Sequence, residues 1–316
     1  MKDITKLYLI SLVLLLASVK TEGATNNIQA GQTITGAIAP GQSDYFSFSA
    51  TNGESVTILM GRGFGEAFFS PQLELYSPNG LLVSTSDSPS VTISALLLTN
   101  TGNYLIVCHD ANDLFSASYG LSLIKNPDSN LPDPDGGVLL PGERKTGNIG
   151  LGDLDVFSFS ATNGDSVTVL MGSAFGEAGF VPQLELYAPS RRLLTIASGA
   201  PARLSECLDE SGTYLIVCRD VAGVYGGSYD ISLNLIPLAP IPPNDPYPHL
   251  AFSFCGDQLR LRWLTNAVGF QLESTATLEI PNSWSVVTNA PELNLDQYVL
   301  GIAHTEPRKF FRLRHP

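Results

Sequence analysis

Apolar and polar residues alternate along most of the chain, and this period of two predicts β-strands with one buried face. Phe46 and Phe48 alternate with serines, while Leu73 and Leu75 alternate with polar side chains. Turn sequences such as Asn52-Gly53 separate these runs, because Asn and Gly adopt positive φ at low cost. No stretch after residue 24 shows a helical period with capping residues. The pattern therefore predicts an all-β protein.

The chain contains two copies of one module, each of about a hundred residues, which is an ordinary domain size. The second copy repeats the order and spacing of the first, with one residue lost near the middle. Several short strands separated by turns predict a β-sandwich or jelly roll for each copy. The matching segments are 44–53 with 155–164, 71–76 with 182–187, and 104–108 with 214–218.

Two Pro-rich segments divide the chain further. Residues 126–137 are rich in Pro, Asp and Gly, and residues 236–248 carry six prolines, as expected for semi-rigid linkers. These boundaries predict repeat 1 at residues 24–125 and repeat 2 at 138–235. The remaining residues, 249–316, have period-two runs around Trp263 and Trp284 and predict a small C-terminal β module, which we interpret as a fibronectin-like sandwich with both tryptophans in its core.

The N-terminus has the features of a signal peptide. Lys2 and Lys6 precede an apolar run of 13 residues from Leu7 to Val19, which is too short to span a bilayer. Small residues at Gly23 and Ala24 predict cleavage nearby, so we assign residues 1–23 to a removable leader. We therefore expect an exported protein, located outside the cell, in the periplasm or at the cell surface.

Composition narrows the function classes. Hydrophobic residues make up 44% of the chain and charged residues 15%, which is typical of a globular protein. The formal charge of -13 argues against nucleic-acid or anionic-membrane partners, since both require a basic surface. Motifs of nucleophilic hydrolases or zinc enzymes are absent from the sequence, and its four histidines are scattered, so no catalytic residue is assigned. We expect a monomer.

The order of short motifs resembles the bacterial pre-peptidase C-terminal domain. The pattern is D-x-F-x-F, then P-x-L-x-L-Y-x-P, G-x-Y-L-I-V and a closing S-Y-x-[LI]-S-L, and both repeats carry it. The resemblance implies a β-sandwich module of the type appended to secreted enzymes, some relatives of which bind collagen or calcium. The residues that carry it are Asp44, Phe46, Phe48, Pro71–Pro78, Gly102, Tyr104 and Tyr119–Leu123 in repeat 1, and Asp155, Phe157, Phe159, Pro182–Pro189, Gly212, Tyr214 and Tyr229–Leu233 in repeat 2.

Four acidic residues are candidate calcium ligands. Glu66 and Glu177 lie in the repeated F-G-E-A loop, and Asp110 and Asp220 follow the Y-L-I-V-C strand. Calcium prefers several carboxylate and carbonyl oxygens, which such loops supply. The alternative is that these loops are kept for turn shape alone. No other cofactor is expected.

Aromatic and cysteine positions give two more hypotheses. Phe68, Phe69 and Tyr225 lie in predicted loops, where aromatic rings stack on sugars. An exported protein forms disulfides, and Cys207 with Cys218 is the only pairing within one module. The alternative is that Cys218 and its equivalent Cys108 are buried, reduced thiols.

These observations favour a non-catalytic, multi-module protein that binds an extracellular polymer, either a polysaccharide or a protein such as collagen, or a cell-surface component. The two repeats would offer two similar weak sites in series. A second hypothesis is an accessory set of modules that helps another exported enzyme to fold, be secreted or stay attached. An unrecognised hydrolase is a third.

Overall fold

The computed structural model describes residues 22–87, 90–126, 134–173, 179–238, 241, 248–255, 258–279, 283–294, 296–303 and 308–315. Over this part of the chain the regular elements are all strands, which confirms the predicted all-β class. No helix long and apolar enough to cross a membrane occurs among these residues. Nearly all of the predicted leader lies outside the described residues, and the first strand begins at Glu22.

Repeat 1 is a sandwich of two sheets. The five-stranded sheet has the order β1-β3-β8-β5-β6, and the four-stranded sheet has the order β2-β9-β4-β7. Neighbouring strands are antiparallel except for β1 and β3, which are parallel. The strands are β1 Glu22–Asn27, β2 Gln32–Ile38, β3 Ser43–Ala50, β4 Ser55–Arg62, β5 Pro71–Tyr76, β6 Leu82–Asp87, β7 Ser90–Leu97, β8 Gly102–Asp110 and β9 Ala117–Asn126.

Repeat 2 has the same topology, with sheets β10-β12-β17-β14-β15 and β11-β18-β13-β16. Each strand corresponds to the one nine places earlier, so equivalent side chains of the two repeats can be compared directly. The strands are β10 Gly137–Val138, β11 Arg144–Ile149, β12 Asp155–Ala161, β13 Ser166–Ser173, β14 Pro182–Tyr187, β15 Leu193–Ser198, β16 Ala202–Cys207, β17 Gly212–Asp220 and β18 Gly227–Ile236.

The predicted alternation separates core from surface in both repeats. Phe46, Phe48, Leu73 and Leu75 are buried between the two sheets of repeat 1, as the period of two requires. A half-buried carboxylate borders this core, where the Tyr119 hydroxyl donates to Asp44 Oδ2 at 2.6 Å. Repeat 2 contains the same pair, Tyr229 and Asp155, at the same distance.

The C-terminal module contains a four-stranded sheet, β19-β20-β24-β23, and a three-stranded sheet, β22-β21-β25. Trp263 is buried beside Tyr298, as predicted, whereas Trp284 is half-buried beneath the Arg312 guanidinium. The module contacts repeat 2 where the Ser166 hydroxyl donates to the Phe254 carbonyl. Its strands are β19 Ala251–Cys255, β20 Gln258–Leu264, β21 Gln271–Thr275, β22 Ser285–Val286, β23 Glu292–Asn294, β24 Gln297–Ala303 and β25 Phe310–Arg314.

The two repeats dock through different faces. The outer face of the four-stranded sheet of repeat 1 packs against the outer face of the five-stranded sheet of repeat 2. Leu59 and Ile124 from repeat 1 form the centre of this contact, and each is almost fully buried. Burying such side chains stabilises a contact by about 1.5–3 kcal/mol each. The residues of repeat 2 in the cluster are Leu154, Val156, Tyr187, Leu215 and Val217.

Glycines allow the two backbones to approach closely at the edge of this interface. A Cβ atom on Gly61 would overlap the Gly223 carbonyl oxygen, and one on Gly120 would overlap the Leu151 carbonyl oxygen. The Ser122 hydroxyl donates to the Gly152 carbonyl at 2.8 Å across the same contact. The equivalent of Gly120 in repeat 2 is Asp230, so the four-stranded sheet of repeat 2 lacks this gap for a further repeat.

Candidate functional site

The outer face of the five-stranded sheet of repeat 1 takes no part in this docking. This face holds an open cleft of about 600 Å³. Strand alternation explains its lining, because the side chains between the buried positions of β3, β5 and β8 must point outward. The polar and aromatic lining residues are Ser43, Tyr45, Glu74, Tyr76, Asn103 and His109, and the apolar floor includes Leu105 and Val107.

Strand register brings these side chains together from distant parts of the sequence. Tyr45, Val107 and Glu74 lie in one row across β3, β8 and β5. Leu105 and Tyr76 are opposite each other in the next outward-facing row. The cleft therefore combines two tyrosines with a carboxylate above an apolar floor.

Glu74 is the electrostatic centre of the cleft. The Tyr76 hydroxyl donates to Glu74 Oε2 at 2.7 Å, and this hydrogen bond, together with burial, raises the pKa of Tyr76. His109 Nε2 lies 3.8 Å from Glu74 Oε1. The other imidazole nitrogen, Nδ1, lies 3.1 Å from the Asp110 carbonyl oxygen. The carboxylate is thus held in place by a phenol and approached by an imidazole.

The equivalent face of repeat 2 has the same framework but is buried by repeat 1. Tyr187 donates to Glu185 Oε2 at 2.6 Å and also hydrogen-bonds Thr57 of repeat 1. Arg219 Nε donates to Glu185 Oε1 at 2.9 Å, so this carboxylate is neutralised by a guanidinium. Repeat 2 therefore uses this face for docking.

The two faces differ in sequence at positions that are buried in repeat 2 and lie in the open cleft in repeat 1. Repeat 2 has Leu154 and Val156 in the interface, where repeat 1 has Ser43 and Tyr45 in the cleft. Arg219, in its ion pair, is replaced in repeat 1 by His109. On the same backbone, repeat 1 has replaced aliphatic side chains by groups that form hydrogen bonds. Such a change suits a face that contacts a polar ligand.

Ser43, His109 and Glu74 also have the residue types of a hydrolytic triad. A triad requires a hydrogen bond from the serine to the histidine. Here one imidazole nitrogen contacts the Asp110 carbonyl and the other faces Glu74, and no hydrogen bond joins Ser43 to His109 in the described part of the chain. Although these residues share the cleft, their contacts do not form a nucleophile–base pair.

Two of the predicted calcium ligands, Asp110 and Asp220, accept hydrogen bonds from backbone amides. Asp110 Oδ1 accepts the Ser70 amide, and its Oδ2 accepts the amides of Leu114 and Phe115. Asp220 makes the same three bonds in repeat 2, to Val181, Val224 and Tyr225. Each carboxylate thereby ties the loop after its strand to the loop before β5 or β14.

Glu66 also connects two segments of repeat 1, because its Oε1 accepts a hydrogen bond from the Ser118 amide at 3.1 Å. Its equivalent Glu177 lies outside the described residues. Among the residues that the structure describes, no three His, Cys, Asp or Glu side chains converge on one point. The calcium site stays a prediction for which this part of the structure provides no cluster.

The three predicted aromatic contacts have different environments. Phe68 is 77% exposed and stacks on Phe115 with ring centroids 5.7 Å apart. Phe69 is 2% exposed and belongs to the core, so its prediction as a ligand contact is wrong; successive loop residues point in opposite directions here. Tyr225 is half-buried against the core of repeat 2 and contacts Phe64 of repeat 1.

A glycine explains why the exposed ring stack occurs only in repeat 1. Tyr225 lies over Gly179, where a Cβ would overlap the tyrosine ring. The equivalent of Gly179 in repeat 1 is Phe68, and the equivalent of Tyr225 is Phe115. Because Phe68 fills that space, Phe115 stacks on it instead, and the pair stands at the surface next to exposed Leu114.

The predicted pairing of Cys207 with Cys218 is wrong. Cys218 and Cys108 are reduced thiols with no exposed surface, each on an inward position of the five-stranded sheet. Cys207 is disulfide-bonded, but it lies on β16, in the opposite sheet of repeat 2. Cys218 faces the sandwich core from β17, so it is not the partner of Cys207.

Sequence reasoning missed Tyr45, Glu74, Tyr76 and His109 as site residues. Glu74 and Tyr76 are part of the PQLELY motif that both repeats share, so their identity alone does not separate an open face from a buried one. The signal that distinguishes the faces is the substitution between repeats, above all Tyr45 for Val156.

Comparison with known proteins gives likenesses to solved structures only. No protein-family model matches the chain, and no curated protein matches it. The pre-peptidase C-terminal domain of a collagenase from Bacillus anthracis is 16% identical, covering 33% of this chain and 97% of that domain, with a TM-score of 0.28. A periplasmic inhibitor of g-type lysozyme from Aeromonas hydrophila is 15% identical, covering 32% of this chain and 96% of that one, with a TM-score of 0.26.

A further solved structure is similar over a longer span. Tandem carbohydrate-binding modules of family 51, from a family 98 glycoside hydrolase of Streptococcus pneumoniae, are 8% identical. The match covers 65% of this chain and 84% of that one, with a TM-score of 0.23. Because all of these values are low, the function of the present chain has to be inferred from its own surface.

Proposed function

We propose that this chain is an exported, non-catalytic binding protein whose ligand is an extracellular polysaccharide, held in the cleft of repeat 1. The observation that carries this proposal is the contrast between the two five-stranded faces. The face of repeat 2 is aliphatic and buried, whereas that of repeat 1 is open and contains Tyr45, Tyr76 and Glu74.

The chemistry of the cleft suits a sugar polymer. Tyrosine rings offer flat apolar surfaces for the C–H faces of pyranose rings, and their hydroxyls form hydrogen bonds. Asn103, Ser43 and Glu74 supply further donors and acceptors for sugar hydroxyls. The cleft is open along the sheet, which allows an extended chain to pass through it.

One cleft, rather than two, is available for this ligand. Tyr187 and Val217 of repeat 2 are covered by Leu59 and Ile124 of repeat 1. The expectation of two similar sites in series does not apply to this face, because docking removes one of them. The exposed Phe68–Phe115 pair is a second, separate surface of repeat 1, and we propose it as an additional contact for a long polymer.

The test is cosedimentation of the mature protein with insoluble cellulose, chitin, xylan and collagen, comparing Tyr76→Ala and Tyr45→Ala with the parent. Phe252→Ala is the matched control, because Phe252 is an exposed aromatic residue of the C-terminal module. We expect saturable binding to a polysaccharide that falls about two- to tenfold in either tyrosine variant, since aromatic stacking contributes roughly 0.5–1.5 kcal/mol beyond burial. The Phe252 variant should bind like the parent.

Two results would overturn the proposal. Binding to no polysaccharide would instead favour the accessory role, in which the modules support another exported enzyme. Polysaccharide binding that is unchanged in both tyrosine variants, with native stability by thermal unfolding, would place the ligand elsewhere on the molecule.

A further inference from the structure

We infer that the cleft of repeat 1 prefers a polysaccharide with free amino groups, whose protonated amines pair with Glu74; this inference rests on the function proposed above. The negative charge of the cleft comes from Glu74, and in repeat 2 Arg219 neutralises the equivalent carboxylate, Glu185.

Glu74 is the carboxylate at the centre of the cleft, and its side chain is 23% exposed. The described residues that line the cleft include neither lysine nor arginine. The groups that contact the carboxylate are the neutral phenol of Tyr76 and the imidazole of His109. His109 Nε2 lies 3.8 Å from Glu74 Oε1, beyond hydrogen-bond distance, so this oxygen lacks the close cation that Arg219 gives to Glu185 at 2.9 Å.

Repeat 2 shows what a neutralised version of this site looks like. Glu185 has the same tyrosine partner, Tyr187, but its remaining oxygen is bound by Arg219 at 2.9 Å. A guanidinium stays protonated throughout the physiological range. Where the face is buried by another module, the chain therefore supplies a cation, and where the face is open, it places His109 at that position instead.

A cationic group of the ligand can take the place that Arg219 takes in repeat 2. The ligand must be polar and extended to fit the open cleft, and it must carry a compact cation to reach Glu74, which lies in the same row as Tyr45 and two residues from Tyr76. An amino sugar within a polysaccharide meets both requirements. Uronic or sulfated polymers would place like charge beside Glu74, and the chain charge of -13 adds to that repulsion.

The experiment compares one polymer in two chemical states. The parent protein is titrated with soluble, short fragments of a β-linked glucosamine polymer and with the same fragments after chemical N-acetylation, at neutral pH and moderate salt. We expect about three- to tenfold tighter binding to the amino form, as partly exposed ion pairs allow. Glu74→Gln should abolish this preference, so that the ratio of the two affinities falls to about one.

Two further variants give the controls. His109→Arg should also abolish the preference, because the arginine would bind Glu74 as Arg219 binds Glu185. Glu292→Gln removes one exposed carboxylate of the C-terminal module and should leave the preference unchanged. Thermal unfolding of each variant verifies that the fold is kept.

The outcomes separate this inference from the proposed function. Equal binding of both polymers, or a preference that Glu74→Gln does not change, overturns the amino-sugar inference but leaves polysaccharide binding standing. If the protein binds collagen but neither glucosamine polymer, both the amino-sugar inference and the polysaccharide proposal are overturned. The cation that pairs with Glu74 would then be a lysine side chain of a protein ligand. Loss of all polysaccharide binding overturns the proposed function itself.

Discussion

Tyr76 and Tyr187 occupy the same position of the same six-residue motif, yet Tyr76 lines an open cleft and Tyr187 is 3% exposed beneath the other repeat. Both phenols donate to the glutamate two residues earlier. The two repeats therefore share their local structure and differ in what covers it. In repeat 2 this face joins the repeats, and in repeat 1 its counterpart forms the open cleft.

The glycines of the inter-repeat contact provide the first prediction. Gly61→Ala should destabilise the chain by about 1–3 kcal/mol, because the new methyl group overlaps the Gly223 carbonyl and the backbones must separate. Gly172→Ala is the matched control, since a Cβ there approaches only the Asp230 carboxylate, at 3.0 Å. Urea unfolding measures both. Equal losses in the two variants would contradict the assigned interface.

The second prediction concerns Asp110, the buried carboxylate that holds two loops of repeat 1 together. Asp110→Asn replaces one carboxylate oxygen by an amide that cannot accept the backbone N–H groups of the 110–115 loop. We expect a loss of roughly 1–3 kcal/mol, with faster proteolysis of that loop. Because this carboxylate accepts three N–H groups, Asp110→Asn should lower the unfolding temperature by the same amount in calcium and in chelator. A stabilisation by calcium that Asp110→Asn removes would instead assign a metal ligand.

The third prediction concerns the free energy of unfolding at alkaline pH. Burial, and then the hydrogen bond to Asp44, raise the pKa of Tyr119 far above its ordinary value of 10.0. In the unfolded chain this phenol ionises near pH 10, so its contribution to stability is complete below that pH and is lost as the pH rises further. In Tyr119→Phe, the unfolding free energy should be lower at neutral pH and should fall less steeply above pH 10. Parallel curves would contradict the assignment.

Cysteine chemistry is the fourth. Burial, with a smaller effect of Asp44, raises the pKa of the Cys108 thiol, so this residue should resist alkylation in the folded protein. After unfolding without reductant, Cys108 and Cys218 should both be labelled. Non-reducing peptide mapping should find Cys207 in a disulfide, and Cys108 and Cys218 outside it. A labelled Cys207 would contradict this.

Sequence periodicity predicted the strands well because burial in a sandwich imposes a period of two on each strand. The buried alternation of Phe46 and Phe48 and the duplicated topology follow from it directly. The docking of the repeats could not be predicted from this periodicity, because Leu59 and Ile124 lie on outward positions that ordinarily face solvent. Their burial depends on a surface about a hundred residues away in the chain.

The candidate site was less accessible to sequence analysis for the same reason. Tyr45, Glu74 and His109 come from three strands that meet only through register. Acidic residues that are chemically attractive in the sequence, such as Asp110, proved to be satisfied by backbone amides. In a β-sandwich, the faces of the strands and the covering of those faces decide which polar residues are available to a ligand.

Oxidative footprinting of the whole protein, with and without saturating polysaccharide, would show whether the polymer binds in the cleft of repeat 1. Mass spectrometry would report the oxidation of Tyr45, Tyr76 and Tyr187 in one measurement. We predict that Tyr45 and Tyr76 are oxidised in the unliganded protein and protected by the polymer, while Tyr187 is protected in both states by repeat 1. Unchanged oxidation of Tyr76 at saturation, or ready oxidation of Tyr187 in the folded protein, would contradict the account.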